Sequence, residues 1–467
     1  MEQKKSIGFG FRGWMLILYQ FIAFGAFQVF TNYPMNIMAS MDDQIYGNPT
    51  TISTIYTIAC FAGIAIQLVM SGFIGKIKSV KALGVILGVA TCVFGFGIMM
   101  IPASMLTLWL ISYFMVTLCS TMYSTFALSI LVGQWFPRRK GTVMGIATLS
   151  FPIFNFFISI FASNFYASYY AGFGALSASG ADDATIGASM PGLAQSAAFS
   201  AFLPFFIIMV VGLIIGIIFV KDYPEQCGAY RDNDRTFTPE QANAMLAAEI
   251  ENKKTSVWKL NHTLTTRDFW FISVPMGLLL AFSVGVMTQT SSIIGQYEEL
   301  DYTTIMAVIA ICGCIGSYGF GLVDSKFGTK KAVLASSALM IVSGALGMIH
   351  SGTTMVISLV VLALFEGAAS NYTVSAAAQY WRREDFSTVF SAINPIANIF
   401  QALGPMVIAM LLYSQFGVSG IFAAVGIGGI IAVILSAVFS AKHVKEKDDV
   451  YRKAAGKVLD DALVGRK

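Results

Sequence analysis

Twelve long apolar runs, with every lysine and arginine confined to the termini and to alternate gaps between them, leave this chain little choice of fold. A bilayer core about 30 Å thick takes about 20 apolar residues to cross as a helix. Runs of that kind are read near 14–39, 51–75, 82–101, 105–134, 141–166 and 196–220, and again near 269–295, 303–323, 332–350, 354–380, 387–412 and 418–441. Only 12% of the 467 residues are charged and 56% are apolar, against about 25% charged in ordinary soluble domains. A soluble fold could not hide that much apolar surface, so the expected solvent is lipid.

The basic residues test this map. Three precede the first run, three lie at Lys76–Lys81, three at Arg138–Lys140 and seven between Lys221 and Arg267. Three more fall at Lys326–Lys331, two at Arg382 and Arg383, and eight from Lys442 onward. That accounts for all 29. The other loops carry only acids: Asp42, Asp43, Asp182, Asp183, Glu298, Glu299 and Asp301. A wrong count of spans would scatter the bases over both sides. The positive-inside rule then places both termini and the 221–267 loop in the cytoplasm and the chain in the cytoplasmic (plasma) membrane. The first run is too long for a signal-peptide core and is expected to stay as a span.

The fold expected is an all-α membrane protein of twelve transmembrane helices in two pseudo-symmetric six-helix bundles. Residues 1–220 form the first bundle, 221–267 a cytoplasmic linker, 268–441 the second bundle and 442–467 a cytoplasmic tail. Within the linker, Thr238-Pro239-Glu240-Gln241 offers an N-cap, a proline at the first helical position and a capping-box partner. A short helix to about Lys254 should follow, with Met245, Leu246 and Ile250 able to form one apolar face. The six cysteines have no pairing across an exterior loop and are expected to stay reduced. His262, His350 and His443 are read as solvated or interfacial.

The two halves repeat at an offset near 245–255. Arg12-Gly13-Trp14 opens span 1, and Arg267-Asp268-Phe269-Trp270 opens span 7. Gln134-Trp135-Phe136-Pro137-Arg138-Arg139 ends span 4, and Gln379-Tyr380-Trp381-Arg382-Arg383 ends span 10. Pro152-Ile153-Phe154-Asn155 in span 5 matches Pro395-Ile396-Ala397-Asn398 in span 11. Such a repeat implies a binding site near the midplane between the halves, reached alternately from either side. Pro152 and Pro395 each remove a helix hydrogen bond, either to bend the helices for packing or to help a gate close.

On these features the chain resembles the major facilitator superfamily over essentially its full length. The loop after span 2, Gly72-Phe73-Ile74-Gly75-Lys76-Ile77-Lys78, resembles the family's glycine-plus-basic signature without its acid. The loop after span 8, from Gly321 to Lys331, keeps the acid as Asp324 beside Lys326. These, with Arg138, Arg139, Arg382 and Arg383, are the expected gating residues; Asp324 could cap a helix or pair with a base across the inner gate. Trp135-Phe136-Pro137-Arg138-Arg139-Lys140-Gly141 and Tyr223-Pro224-Glu225-Gln226-Cys227-Gly228-Ala229-Tyr230 resemble the oxalate/formate antiporter and monocarboxylate branch. The resemblance implies transport of an organic acid, by proton-coupled symport or anion exchange. Oxalate carriers hold their dianion with bases inside the helices, and no base falls inside a span here. A monocarboxylate, a larger amphipathic acid such as a bile acid, or a neutral solute fits better than a small dianion.

Glu366 is the only carboxyl deep within a span. A charged acid there costs a few kcal/mol, so it is read as a proton carrier, or else as a neutral acid bonded to a neighbouring helix. It lies in span 10, where the resemblance to proton-coupled members such as the lactose permease also places an acid. Ser370 and Thr373 share its helix face, and Thr121 and Thr125 are the counterparts in span 4. These hydroxyls could bind substrate or join helices. Gln28, Asn32 and Tyr33 in span 1 and Gln289 in span 7 should face the interior, since lipid offers amides no partner. Asn155 and Asn398 are further candidates, although each sits near a proline and could repair the freed carbonyl.

No span carries a nucleophile with a base or a metal-ligating cluster, so neither enzyme chemistry nor a metal site is expected. No cofactor is implied, and no phosphate-binding loop points to ATP. The expected partners are a small-molecule substrate, protons or a counter-anion, and the bilayer, without nucleic acid and as a monomer. The competing reading is an efflux carrier for amphipathic or drug-like compounds. A non-transporting membrane sensor would need more than a short tail.

Overall fold

The computed structural model describes residues 8–38, 41, 43–46, 49–71, 77–137, 139–254, 256–382 and 384–457. Among them are twelve helices long and apolar enough to span a membrane. These are α1 (Phe11–Asn36), α2 (Thr51–Met70), α3 (Val80–Met100), α4 (Ala103–Trp135), α5 (Lys140–Ala178) and α6 (Asp183–Phe219). The second set is α7 (Arg267–Thr288), α8 (Tyr302–Phe327), α9 (Thr329–Gly347), α10 (Gly352–Tyr380), α11 (Phe386–Leu412) and α12 (Gly417–Val438). A further helix, α13 (Ala441–Ala454), follows α12. The spans form two six-helix bundles. Their shared basic end holds the described residues near both termini and the loops rich in Lys and Arg.

Burial sorts the helices by position. The most apolar windows of α1, α4, α7 and α10 are 78%, 83%, 72% and 61% buried, against 33%, 28% and 39% for α3, α6 and α12. The first helix of each triplet is therefore innermost, and the third is on the lipid side. The outer helices turn β-branched residues outward, such as Ile86 and Val93 on α3 and Ile214 and Ile218 on α6. In water that surface would be a liability; in lipid it is the solvated face.

Three sequence expectations change in the fold. The fifth and sixth spans do not stop near 166 and start near 196. They continue as helix to Ala178 and from Asp183, and Asp182 caps the second by accepting from Thr185 N–H at 3.1 Å. Helices of 39 and 37 residues reach well over 50 Å at 1.5 Å per residue, beyond any bilayer core. Most of the intervening residues are exposed, and helical hydrogen bonding satisfies their backbone. The linker helix forms at Pro239–Lys254 with its capping box made, Gln241 N–H to Thr238 Oγ1 at 3.3 Å and Thr238 N–H to Gln241 Oε1 at 3.0 Å. Of its proposed apolar face only Leu246 is buried; Met245 and Ile250 are exposed.

The tail is the third change. α13 docks on the second bundle through a buried ionic cluster. Asp448 accepts from Arg382 Nε at 2.9 Å, from Arg452 Nε at 3.1 Å and from Trp258 Nε1 at 2.9 Å. Arg452 also meets Glu384 and lies 3.7 Å from Asp385. His443 is not free in solvent: it bonds Asp268 at the start of α7. His262 stacks on Tyr451 at 4.2 Å.

Candidate functional site

Glu366 lies at the middle of α10 (Gly352–Tyr380), about 21 Å along the axis from either end, and is buried. Gly367 makes room beside it. A Cβ on that residue would lie 2.0 Å from Ser317 Oγ of α8 and 3.1 Å from the Thr148 carbonyl of α5. The glycine thus lets both helices close on α10 next to the acid.

Asn155 of α5 donates from Nδ2 to the Glu366 carboxyl, 3.5 Å to Oε1 and 3.4 Å to Oε2. Gln28 of α1 donates to Asn155 Oδ1. Tyr33, one turn on from Val29, donates its hydroxyl to the Phe154 carbonyl at 2.5 Å and so fixes α1 against α5 beside that amide. Three side chains from three helices, one of them in the other bundle, form a continuous polar chain at mid-membrane. The contacts to Glu366 are longer than the ~2.7–2.9 Å of strong charge-assisted bonds, so the acid is held loosely and its partner is exchangeable.

Local backbone geometry aims these groups. Gln28–Asn32 is a π-helical turn, with Asn32 buried at its end. Met122–Ala127 in α4 is another and includes Thr125. Such turns rotate the side chains that follow them and recur at functional sites. In α5, Pro152 has no N–H for the Thr148 carbonyl, and the helix breaks between Ala147 and Ser150. At that break Thr148 Oγ1 accepts from Asn371 Nδ2 of α10 at 2.8 Å. Pro152 also packs on Gly313 of α8. Pro395 sits inside an unbroken α11.

A second polar chain crosses the bundles through α2, α11 and α10. Asn394 Nδ2 donates to Gln67 Oε1 at 3.0 Å, and Thr373 Oγ1 donates to Asn394 Oδ1 at 3.3 Å. Thr373 is two turns from Glu366 on the same face of α10. Gln67 Nε2 and, one turn along α11, Asn398 Nδ2 are buried donors without a protein partner. Leaving such a group unpaired costs about 1–3 kcal/mol.

The remaining candidates separate. Thr121 and Thr125 turn their hydroxyls back to the carbonyls of Thr117 and Thr121, at 2.7 and 2.8 Å. Asn32 Oδ1 accepts from Thr31 at 3.3 Å. Gln289 follows the last residue of α7 and, like Ser370, is half-buried. Neither Asn155 nor Asn398 is shown repairing a proline-freed carbonyl: the first serves Glu366, and the amide nitrogen of the second is unpaired. Gln67, Asn371 and Asn394 join the site from outside the sequence-derived set. Gln67 was within reach of the rule that selects Gln28, an amide in an apolar helix.

At the basic end the bundles close on each other, but through other residues than expected. Arg382 is tied to the tail helix. Arg139 serves its own bundle: its N–H donates to Asp232 at 3.0 Å and its guanidinium to the Gly8 carbonyl at 3.3 Å. Lys326 is exposed on the lipid side of α8 and α9. Arg138, Arg383 and the stretch 72–76 lie outside the described residues. Asp324 is at the seam and accepts from the Thr329 hydroxyl at the start of α9 at 2.6 Å. The seam itself is made by Lys140, whose ammonium sits 3.2 Å from the centre of the Phe386 ring, and by Thr142, 3.4 Å from Ser325 Oγ. Gly145 and Gly321 let α5 and α8 touch through backbone. A cavity of about 170 Å³ lies there, with Lys140 and Asp324 on its wall.

One acid outside the spans is strongly shifted. Burial pushes Asp385 up to about 6, against the hydrogen bond from Ser256; Glu384 and Asp448 push the same way and Arg452 opposes them.

Comparison with known proteins places this geometry. The sequence profile of the Major Facilitator Superfamily matches residues 304–463. The fold is similar to that of the fucose:proton symporter of E. coli, with a TM-score of 0.57 and 13% identity over 91% of this chain and 98% of that one. It is similar to the proton:xylose symporter (TM-score 0.62, 14% identity, 91% and 96% covered) and to a human organic anion transporter (0.59, 11%, 90% and 97%). No curated protein matches the sequence. The chain thus has the major facilitator fold.

Proposed function

We propose that this chain is a secondary transporter that moves an organic monoacid together with a proton through the cytoplasmic membrane by alternating access. The observation that carries the reading is the chain Gln28–Asn155–Glu366, which joins the bundles through the one carboxyl that lies at the middle of a span among the described residues. When ionised, Glu366 accepts from Asn155 and ties α10 to α5. When protonated it gains a donor and loses charge, so the tie weakens and the acid can instead meet the substrate. Proton occupancy thereby biases how the two bundles sit, which is what coupling needs. The symporter neighbours support proton coupling, and the organic anion transporter and the two branch-like stretches support an acid.

The amide donors of Gln67 and Asn398 suit a carboxylate or carbonyl oxygen. Without a cation at that depth they favour a singly charged acid over a dianion. Aromatic pairs beside the first chain, Phe24 with Phe151 at 5.1 Å and Phe21 with Phe154 at 6.2 Å, favour an amphipathic acid such as a bile acid. The same aromatic surroundings would suit an efflux carrier of amphipathic compounds.

The test is proton movement in proteoliposomes loaded with a pH-sensitive dye, with monoacids, diacids, bile acids and amphipathic cations added in turn. A monoacid should acidify wild-type vesicles, and Glu366→Gln should abolish that signal. Equal proton signals from the two proteins, with solute still entering, would rule out symport through Glu366. Uptake of the cations alone would favour efflux.

A further inference from the structure

A cleft of about 470 Å³ opens at the basic end of the second bundle, where α8, α9, α12 and α13 meet. Lys326, Lys330 and Lys331 line it, together with Phe327, Phe439 and Ala441, and no carboxylate is among its lining residues. Lys330 is held in place: its ammonium donates to the carbonyls of Ala437 and Phe439 at 3.0 and 2.7 Å, capping α12. Lys331 lies 5.8 Å from the centre of the Phe327 ring. Phe327 itself is 56% exposed.

The first bundle shows what such a place looks like when it is filled. There Lys81, also the second residue of its helix, caps α6 by donating to the Ile217 carbonyl at 2.7 Å. Two residues beyond the α6 C-cap Val220 stands Asp222, which accepts from Lys81 N–H at 2.8 Å and from Ser79 Oγ at 2.7 Å. Two residues beyond the α12 C-cap Phe439 stands Ala441. The second bundle therefore has a methyl at the position of Asp222, gives the matching Lys330 N–H to the Tyr380 hydroxyl at 2.9 Å, and adds lysines around the cleft without a carboxylate to balance them.

We propose that this cleft binds the head group of an anionic phospholipid of the cytoplasmic leaflet. The phosphodiester takes the place of the missing carboxylate between the lysines, and the acyl chains descend past Phe327 along α8. Basic pockets between helices on the cytoplasmic side have the charge and depth for this. An exposed aromatic ring at the end of a span lies at head-group height. The inference is independent of which solute the midplane site carries.

The experiment is native mass spectrometry of the full chain exchanged from detergent into mixed phosphatidylglycerol and phosphatidylcholine, with glycerol 3-phosphate as the soluble competitor. Wild type should retain one phosphatidylglycerol in preference to phosphatidylcholine. Ala441→Asp should supply the carboxylate and lower that retention by about tenfold, while Ala441→Asn keeps it. Lys326→Gln and Lys331→Gln should each lower it several-fold without touching the α12 cap. Equal retention in wild type, Ala441→Asp and the lysine variants would overturn the site. Displacement of the lipid by millimolar glycerol 3-phosphate would overturn the lipid assignment and leave a free-phosphate site.

Discussion

The two bundles share a scaffold and divide the chemistry. The first contributes amides and two π-helical turns, Gln28–Asn32 and Met122–Ala127. The second contributes an unbroken α10 with Glu366 at its centre. By the internal repeat, Thr121 occupies the place of Glu366, yet its hydroxyl is spent on its own helix. The basic ends differ in the same way. The first bundle is closed by the linker, through Asp222, Asp232 and a Glu225–Arg231 pair. The second is closed by α13, through Asp448, Arg382 and Arg452. Repetition fixes where helices lie; the proposed proton, substrate and lipid sites all fall where the halves depart from it.

The sharpest way to break that comparison is to exchange the paired positions. Glu366→Gln should reduce substrate-driven proton flux more than about a hundredfold, since no second carboxyl lies at the middle of a span among the described residues. Thr121→Val should change it less than about threefold. Asn155→Leu should fall between, because Glu366 would lose its partner in the other bundle and a buried charge would be left unpaired. A dye assay on all three decides it: equal losses at 121 and 366 would mean that the halves share the chemistry after all.

Close packing gives a second contrast, between contacts inside a bundle and contacts across the seam. A Cβ on Gly316 would lie 1.9 Å from the Leu364 carbonyl, backbone against backbone between α8 and α10. Gly316→Ala must push two helices of one bundle apart and should lower the melting temperature in detergent by roughly 1–3 °C, the shift that about 1–3 kcal/mol of overpacking gives in a chain of this length. At the seam, a Cβ on Gly145 meets Gly321 Cα at 3.5 Å, an ordinary contact. Gly145→Ala should melt like wild type, whereas Gly145→Leu should hold the basic end open and slow turnover. A Gly316→Ala protein as stable as wild type would mean that the two helices have slack to separate.

How much of this was legible in the sequence follows from which physics sets each feature. Span count depends on apolar length, which is local. The span ends were not legible at 167–195, because small polar residues such as Ser177 and Ser189 sit equally well in a loop or in an exposed helix. Glu366, Asn155 and Gln28 could each be picked as a polar residue that lipid cannot serve. That they bond to one another could not, since three helices and two bundles bring them together. Gln67 shows the limit well. It lies in a helix only 44% buried in its apolar window, and only Asn394 across the seam reveals which way it faces. Arg382 and Lys326 were misplaced for the converse reason: a base at a loop reads as a gate, whereas here one meets a tail helix and the other a lipid-side cleft.

Asp385 offers a smaller effect, confined to the second bundle. Its carboxyl is raised to about 6 by burial, above the ~3.9 of a free aspartate. A raised acid binds its proton more tightly in the docked state. Docking of α13 is therefore favoured below the free value and weakened as pH rises through 6. Proteolysis after α12 should be slowest near pH 5 and increase severalfold by pH 7.5. Asp385→Asn should remove that rise, and the linker-capped first bundle should show none. An unchanged pH profile in Asp385→Asn would mean that Asp385 does not govern docking.

The smallest expected effect compares Lys81 with Lys330, the one device that both bundles share at the basic end. Each ammonium caps the last carbonyls of the sixth helix of its bundle, where the helix dipole favours a cation by about 0.3–1 kcal/mol. Lys81→Met and Lys330→Met should therefore each lower the melting temperature by only about a degree or less. The two should not be equal. Lys330 satisfies two carbonyls and Lys81 one, while Asp222 still holds the start of α3 through the Lys81 N–H and Ser79 when the ammonium is gone. The loss should accordingly be larger at Lys330 in phosphatidylcholine. In phosphatidylglycerol the gap should widen, because Lys330 also contributes charge to the lipid cleft and Lys81 already has a carboxylate beside it. Equal shifts in both lipids would reduce the two lysines to plain helix caps and remove the asymmetry between the basic ends.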